Sequence, residues 1–249
     1  MPQEVAVTEV IANLNIGYIV AAALVLTSLR LVFLPIKSAF TRWLAELLES
    51  MIIAGVLVFM IIRPFFLQAF FIPSESMEPT LMGHKHGYNS ATNKNYPDDV
   101  NDHIFVNKLG VRFSNPKPGD IIVFKAPKRA DMTGAGVENV LIKRLIGVGG
   151  DTIQVKPDDK GVIRVFRNGV AIEEPYLHLE EPMLNITMNE RESFAVNEPL
   201  KLAPDELFVM GDNRNHSNDG RFWGPLKRDR VIGNASIIFW PLNRIRIIR

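Results

Sequence analysis

The chain of 249 residues contains no cysteine. Disulfide bonds, thiolate nucleophiles and cysteine-bound zinc are therefore excluded, and a catalytic nucleophile must be a serine, a threonine, a lysine or a carboxylate. The chain also lacks an excess of charge of one sign, because 28 Lys and Arg residues are balanced by 27 Asp and Glu residues. These charges are interspersed along the sequence, so no basic patch argues for a nucleic acid as partner.

Basic residues are also missing before the first apolar stretch, which covers residues 11–29 without a charge. A cleaved secretory signal would begin with positive charge, so this absence favours a retained membrane anchor. The length suits a helix that crosses a hydrocarbon core of about 30 Å. We therefore predict an N-terminal tail over residues 1–10 and a first transmembrane helix over residues 11–29.

A second apolar stretch, residues 51–62, is too short to cross a bilayer alone at about 1.5 Å per residue. Residues 44–50 supply its first turns, which predicts a second transmembrane helix over residues 44–63. Arg63 and Pro64 suit its far end, because a long basic side chain can reach the interface and proline can end a helix. A buried helix of a soluble domain is the alternative.

The predicted loop between the two spans, residues 30–43, carries Arg30, Lys37 and Arg42. The positive-inside rule places such a short basic loop in the cytoplasm. Both termini then face the opposite side of the membrane, where exported proteins emerge. We expect everything after about Arg63 to work on that trans side.

From Pro73 onward the sequence predicts a β-rich domain. Short β-branched and aromatic runs alternate with Gly, Pro, Asn and Asp, and the Asn-Gly pair at 168–169 predicts a tight hairpin. The main domain is predicted over residues 64–155 and 205–249, and a smaller β-rich cap insertion over residues 156–204. Residues 84–101 are polar and aperiodic, which predicts a flexible surface loop. Residues 65–72 fit either a first strand or a surface at the lipid headgroups, and the two are compatible.

A serine nucleophile needs a base, and histidine is the usual one. The chain has five histidines, none with an obvious strand-end setting beside a carboxylate, so a lysine base is the better hypothesis and a histidine triad the alternative. A lysine base must be neutral near pH 7–8, so burial must lower its pKa from about 10.4 by roughly two to three. Lys143 lies in an apolar run, where strict alternation places it on one face with Leu141 and Leu145 and turns Arg144 outward. An ordinary solvated lysine is the competing interpretation.

Three short runs supply a nucleophile, a base and a polar clamp. They are Pro73-Ser-Glu-Ser-Met-Glu-Pro-Thr80, Lys143-Arg-Leu-Ile-Gly-Val-Gly-Gly-Asp151 and Gly211-Asp-Asn-Arg-Asn-His-Ser-Asn-Asp-Gly220. In that order they resemble the serine, lysine and Gly-Asp-Asn boxes of the bacterial type I signal peptidases, a family of serine endopeptidases with a Ser-Lys dyad. The resemblance extends from about Phe71 to the C-terminus. It implies a mainly β fold, with an antiparallel β-sheet catalytic domain of the signal peptidase I type preceded by two transmembrane helices.

The resemblance also implies roles for the two central residues. Ser76 precedes Met77 and Pro79-Thr80-Leu81, as in the family's serine box, and would be the nucleophile. Lys143 would be the general base. The backbone N–H of Ser76 and the hydroxyl of Ser74 would form the oxyanion hole.

Further roles follow by the same resemblance. Ser217 would hydrogen-bond the lysine amine, while Asp219 and Arg221 would form a supporting ion pair. Residues that match substrate-pocket positions are Ile72, Met77 and Ile142. The chief departure from the family pattern is the loop inserted after Leu81. There His84, His86 and His103 offer a weak alternative as metal ligands, although the dyad itself requires no metal or organic cofactor.

The implied function is a membrane-bound serine endopeptidase that cleaves N-terminal signal peptides from exported preproteins. The implied partners are such preproteins, the lipid bilayer and the protein-export machinery, with no nucleic acid. The implied location is the bacterial plasma (inner) membrane, with several passes and the catalytic domain on the periplasmic or extracytoplasmic side. The alternative is a non-catalytic, membrane-anchored β-module that binds exported chains. A self-cleaving regulator would instead need a cytoplasmic domain and a DNA-binding segment, which the sequence does not indicate.

Overall fold

The computed structural model describes residues 16–36, 38–62, 65–89, 94–130, 139–177, 194–196 and 198–248. The chain divides into two compact units, Met1–Phe70 and Phe71–Arg249. The predicted N-terminal tail lies outside the described residues, as do Lys37, Arg63, Pro64 and His178.

The first unit contains two helices, α1 (Ile16–Phe33) and α2 (Ala39–Val56), and α2 continues as a π-helical turn, Leu57–Ile62. The predicted loop over residues 30–43 is shortened from both sides. Arg30 lies in the last turn of α1 and Arg42 in the first turns of α2. Arginine is a good helix former, so the charged residues from which the loop was predicted continue the helices and do not end them.

The two helices differ in the length of their apolar part. Among the described residues, Ala39–Ile62 is the one helical stretch long and apolar enough to cross a membrane, with a mean hydropathy of 2.2. The apolar helix Gly17–Phe33 is shorter. The prediction of two membrane-crossing helices therefore stays a prediction.

Strands form most of the regular structure after these helices. In chain order they are β1 (Leu67–Phe71), β2 (Gly83–His84), β3 (Gly87–Asn89), β4 (Lys94–Tyr96), β5 (Val100–Asn101), β6 (His103–Asn107), β7 (Ile121–Lys125), β8 (Val140–Gly147), β9 (Thr152–Pro157), β10 (Ile163–Arg167), β11 (Val170–Ala171), β12 (Leu200–Lys201), β13 (Glu206–Met210), β14 (Leu226–Lys227), β15 (Val231–Trp240) and β16 (Arg246–Ile247). Two short helices, α3 (Leu109–Phe113) and α4 (Gly220–Trp223), interrupt them. The predicted strand within residues 65–72 is confirmed as β1.

The main sheet of the second unit has the strand order β6-β15-β7-β8-β13-β14, with β16 paired to β15. Every pair in this order is antiparallel. The prediction of a mainly antiparallel β fold is confirmed.

Both faces of this sheet are covered by apolar side chains. Leu145 and Val209 belong to one buried cluster, together with Phe124 and Trp223. Their strand neighbours on the opposite face, such as Phe208, belong to a second cluster. A central strand buried on both faces must bury every residue, including any charged ones, and this decides the environment of the site.

The predicted cap corresponds to a second sheet with the order β11-β10-β9-β12. It begins at Thr152, slightly before the predicted boundary at residue 156. The predicted Asn-Gly turn is present, because Arg167 pairs with Val170 and both Asn168 and Gly169 have positive φ angles of 54° and 82°.

The prediction of a flexible loop over residues 84–101 is wrong for its described part. Strand β2 pairs with β5, and β3 pairs with β4, so the described residues 83–89 and 94–101 form a hairpin, which we call the inserted hairpin after the predicted insertion. His84 is buried in it. Some of its polar residues bond outside the segment, Tyr96 to Glu78 and Asn101 to the carbonyl of Ile72, and a local pattern does not reveal such partners.

Candidate active site

Ser76 lies in a single 3₁₀ turn, Glu75–Met77, that follows extended backbone at Ser74. The side chain of Met77 is fully buried and anchors this turn in the core. Ser76 itself is 8% exposed, so its hydroxyl lies at the edge of the core.

The sequence-predicted base reaches this serine. Lys143 lies in β8, opposite Ile122 of β7, and its Nζ donates a hydrogen bond to Ser76 Oγ at 2.7 Å. Because burial desolvates the ammonium, the pKa of Lys143 falls from 10.5 to about 8, although Asp219 and Asp212 act in the opposite direction. A lysine with that pKa is roughly half neutral at pH 8 and can accept a proton.

Ser74 lies beside Ser76, the predicted nucleophile. Its hydroxyl is 3.4 Å from Ser76 Oγ, a long and weak contact. Since a hydroxyl rotates freely about its bond, this group is placed to turn toward an oxyanion that forms at Ser76.

The Gly-Asp-Asn box holds the backbone of the serine turn. Asn213 N–H donates to the carbonyl of Ser76 at 3.1 Å, and its Nδ2 donates to the carbonyl of Glu75 at 3.2 Å. A Cβ added at Gly211 would lie 2.4 Å from the Ser76 carbonyl oxygen and 2.2 Å from Ser217 Oγ. Only glycine permits this close approach.

Ser217 differs from expectation. Its Oγ is buried and has no hydrogen-bond partner among the described residues, so the predicted bond to the Lys143 amine is not formed. The amine donates to Ser76 instead. An unsatisfied hydroxyl beside the dyad keeps its capacity to bind the amine or the substrate in a later state.

The predicted ion pair between Asp219 and Arg221 is present and almost fully buried. Arg221 Nε and Nη2 each donate to an Asp219 oxygen at 2.9 Å, and Gly211 N–H donates to Asp219 Oδ2 at 3.0 Å. Burial alone would raise the pKa of Asp219, but Arg221 holds it below its usual value. Asp219 therefore stays a carboxylate and anchors the loop that carries Ser217.

The expectation that Arg144 points outward is wrong. Arg144 is 3% exposed, and its Nε and Nη2 bind the two oxygens of Asp212 at 2.8 Å and 2.7 Å. Asp212 also accepts a hydrogen bond from Thr80 Oγ1 at 2.5 Å. Strict alternation assumed one solvated face, whereas β8 is covered on both faces. Arg144 and Asp212 thereby connect all three sequence boxes.

Sequence reasoning missed two polar residues of the cap, Glu174 and Tyr176, which we call the cap arm. Arg214 forms a buried ion pair with Glu174, with Nη1 to Oε2 at 2.9 Å. Tyr176 donates its hydroxyl to Glu174 at 2.8 Å, and its ring lies 3.8 Å from the Arg144 guanidinium. Glu174 and Tyr176 fall in a Pro- and Glu-rich stretch without period, so no local pattern identified them.

The predicted pocket residues differ in exposure. Ile72 and Met77 are buried, whereas Ile142 is half-buried at the start of β8 and retains surface for contact. Two of the histidines proposed as metal ligands make contacts with different partners. His84 pairs with Glu78 at 2.6 Å, and His103 packs on Phe71. Within the described ranges, no group of three or more acidic or histidine side chains is placed to hold a metal ion.

Comparisons with known proteins concern the chain as a whole. Residues 44–240 match the family model described as "Signal peptidase, peptidase S26". The chain is 36% identical over 184 residues to a protein named signal peptidase I from Leptolyngbya laminosa, covering 74% of each chain. It is 33% identical over 211 residues to a probable signal peptidase I-1 from Synechocystis sp., covering 84% of this chain and 89% of the relative. It is 31% identical over 235 residues to the signal peptidase I of Mycobacterium tuberculosis, covering 79% of this chain and 73% of that protein.

Proposed function

This chain belongs to the signal peptidase family, peptidase S26, and from that premise we propose that it is a membrane-bound serine endopeptidase that cleaves N-terminal signal peptides from exported preproteins. The observation that carries the proposal is the buried contact of 2.7 Å between Lys143 Nζ and Ser76 Oγ. The lowered pKa of Lys143, about 8, supports the role of base.

The reaction follows from this contact. Ser76 Oγ attacks the carbonyl carbon of the scissile amide while its proton passes to the neutral amine of Lys143. The carbonyl oxygen becomes an oxyanion, which accepts hydrogen bonds from the backbone N–H of Ser76 and the hydroxyl of Ser74. Lys143 then returns the proton to the leaving nitrogen, and the C–N bond breaks.

The product of this first half is an acyl-enzyme on Ser76. Water replaces the released chain, Lys143 takes a proton from it, and the resulting hydroxide attacks the ester carbon. The ester C–O bond breaks, and Ser76 recovers its proton from Lys143. These steps use neither a metal nor an organic cofactor.

The substrate would bind as an extended strand beside the sheet, with side chains alternating into pockets. Ile142 offers exposed apolar surface near Lys143, and Ile72 and Met77 would form the floor beneath it. Such shallow apolar contacts suit small residues one and three positions before the cut. We place the catalytic unit on the trans side of a bacterial inner membrane, where the export machinery delivers preproteins.

Cleavage of a preprotein by the purified full chain in detergent tests the proposal. We expect mass spectrometry to detect one new N-terminus after the signal peptide, and Ser76→Ala and Lys143→Ala each to abolish it. The matched controls Ser114→Ala and Lys117→Ala change an exposed serine and lysine and should cleave normally. Circular dichroism of all four variants should be unchanged. Full activity of either dyad variant would refute the mechanism, and binding without any new N-terminus would favour the non-catalytic alternative.

A further inference from the structure

The inserted hairpin, described over residues 83–89 and 94–101, lies directly against the segment that carries the nucleophile. A Cβ added at Gly83 would lie 2.4 Å from the carbonyl oxygen and 2.7 Å from the backbone nitrogen of Ser74. Strand β2 therefore packs on the backbone of Ser74 with no room for a side chain. Any movement of this strand is transmitted to Ser74 by direct contact.

Glu78 ties the hairpin to the other end of the serine turn. It lies two residues after Ser76, and its carboxylate accepts hydrogen bonds from Gly83 N–H at 3.2 Å, His84 Nδ1 at 2.6 Å and the Tyr96 hydroxyl at 3.3 Å. The rings of His84 and Tyr96 stack with centroids 3.8 Å apart. The Glu78 and His84 side chains are only 11% and 7% exposed, so water competes weakly for their hydrogen bond.

The second leg of the hairpin attaches upstream of the nucleophile. Asn101 Nδ2 donates to the carbonyl of Ile72 at 2.8 Å. The backbone carbonyl of the next residue, Asp102, accepts a hydrogen bond from Ile72 N–H at 2.9 Å, and Arg244 binds the Asp102 carboxylate. The hairpin is therefore hydrogen-bonded to the chain both before and after Ser76.

We propose that the inserted hairpin is a positioning element of the active site, in which the His84–Glu78 contact fixes the serine turn and, through Gly83, the oxyanion donor Ser74. This inference rests on the proposed function. His84 and Glu78 are positioning residues, because they act through the backbone of residues 74–78 and through packing on Ser74. An oxyanion donor contributes only when it is aimed at the developing charge, so a small displacement of Ser74 lowers kcat more than it raises KM.

Two histidines of the same hairpin give a matched test. His84→Phe keeps a ring that can stack on Tyr96 but removes the hydrogen bond to Glu78. The control, His86→Phe, makes the same change two residues later, where the ring bonds only to the Pro97 carbonyl within the hairpin. On the full chain in detergent, we expect His84→Phe to lower kcat for preprotein cleavage about tenfold with KM within about twofold, as for one lost charge-assisted hydrogen bond. His86→Phe should leave both constants unchanged.

A double-mutant cycle with Ser74→Ala separates positioning from general destabilisation. Removal of the Ser74 hydroxyl should itself lower kcat by about a hundredfold or more. If the hairpin acts by aiming that hydroxyl, His84→Phe should cost less than about twofold in the Ser74→Ala background. His84→Asn, which restores a donor near the position of Nδ1, should recover most of kcat.

The outcomes are decisive. Equal kcat for His84→Phe and His86→Phe, or an undiminished loss in the Ser74→Ala background, would overturn the positioning role. Should His84→Phe fail to fold, Glu78→Gln decides instead, because it keeps the shape and removes the charge, and a normal kcat there would also overturn the inference. Each of these results leaves the proposed function standing, whereas absence of cleavage by the unaltered chain would reject that function first.

Discussion

At the scale of single residues, the burial that would allow Lys143 to act as the proposed base also costs stability. Its pKa is about 8 in the folded chain, against an ordinary value of 10.5. Below pH 8 both the folded and the unfolded chain hold the proton, and the folded state carries a net cost of about 3 kcal/mol, which is the desolvation of the amine less the attraction of Asp219 and Asp212. As pH rises from 8 to 10.5, only the unfolded chain keeps the proton, and the cost disappears.

Replacement of this lysine by an apolar residue should therefore stabilise the protein. We expect Lys143→Met to raise the free energy of unfolding by about 2–3 kcal/mol at pH 7, with the gain vanishing near pH 10.5. Urea unfolding in detergent at both pH values measures it. Lys117→Met, at an exposed site, is the control and should change little. A Lys143→Met variant less stable than the parent at pH 7 would show that the amine is not desolvated.

Burial lowers the pKa of Lys143, and the charge of Asp219 opposes part of that shift. This carboxylate raises the pKa of Lys143, so Asp219→Asn should lower that pKa and move the acidic limb of kcat/KM toward lower pH. Asp212→Asn should move it in the same direction, and Glu198→Gln, at an exposed carboxylate, should not. A shift toward higher pH in either aspartate variant would contradict this electrostatic account.

The sequence was sufficient for the two residues that meet in the dyad and insufficient for their neighbours. Ser76 and Lys143 were identified by motif resemblance, and an apolar run predicted the burial of the lysine. Arg144 was misplaced, because alternation describes a half-solvated strand and β8 is covered on both faces. The free hydroxyl of Ser217 depends on side-chain geometry that no spacing encodes.

At the scale of elements, local signals were predictable and distant pairings were not. The Asn-Gly turn between β10 and β11 needs only its own backbone preferences, and it formed as predicted. The inserted hairpin was taken for a loop, because its order comes from Glu78 and Ser74, which precede it in the chain. The cap arm of Glu174 and Tyr176 was missed for the same reason.

The cap arm should matter for stability. Glu174→Gln leaves the buried guanidinium of Arg214 without its carboxylate, which we expect to cost about 3 kcal/mol of unfolding free energy. Glu173→Gln alters the adjacent exposed carboxylate and should be neutral. Thermal unfolding of the two variants provides the comparison. Equal midpoints would mean that the ion pair contributes nothing to the fold.

At the scale of the whole molecule, the chain combines an apolar helical unit with a β unit of balanced charge. Hydropathy predicted the helical unit, and strand patterns predicted the β unit, because both signals depend on composition more than on specific contacts. The helix ends were less predictable, since Arg30 and Arg42 lie within the helices and do not mark their ends.

We propose the orientation of the β unit from the basic residues at the facing ends of the two helices. Arg30, in the last turn of α1, and Arg42, in the first turns of α2, should keep the connection between the helices in the cytoplasm and leave the β unit outside. Protease added to spheroplasts should then digest the β unit, and the same unit should be protected in inverted vesicles. Detection with an antibody against the β unit measures this, and the reverse pattern would overturn the assigned topology.

The most direct test of the central claim is the rate of Ser76 acylation as a function of pH. A peptide ester that acylates the enzyme in a single turnover is quenched with acid, and mass spectrometry locates and counts the acyl group. We predict an adduct on Ser76 whose rate rises with pH to a plateau with a midpoint near the Lys143 pKa of about 8, and no adduct in Lys143→Ala. A rate independent of pH between about 6 and 10, or an adduct on another residue, would contradict a neutral lysine as the base.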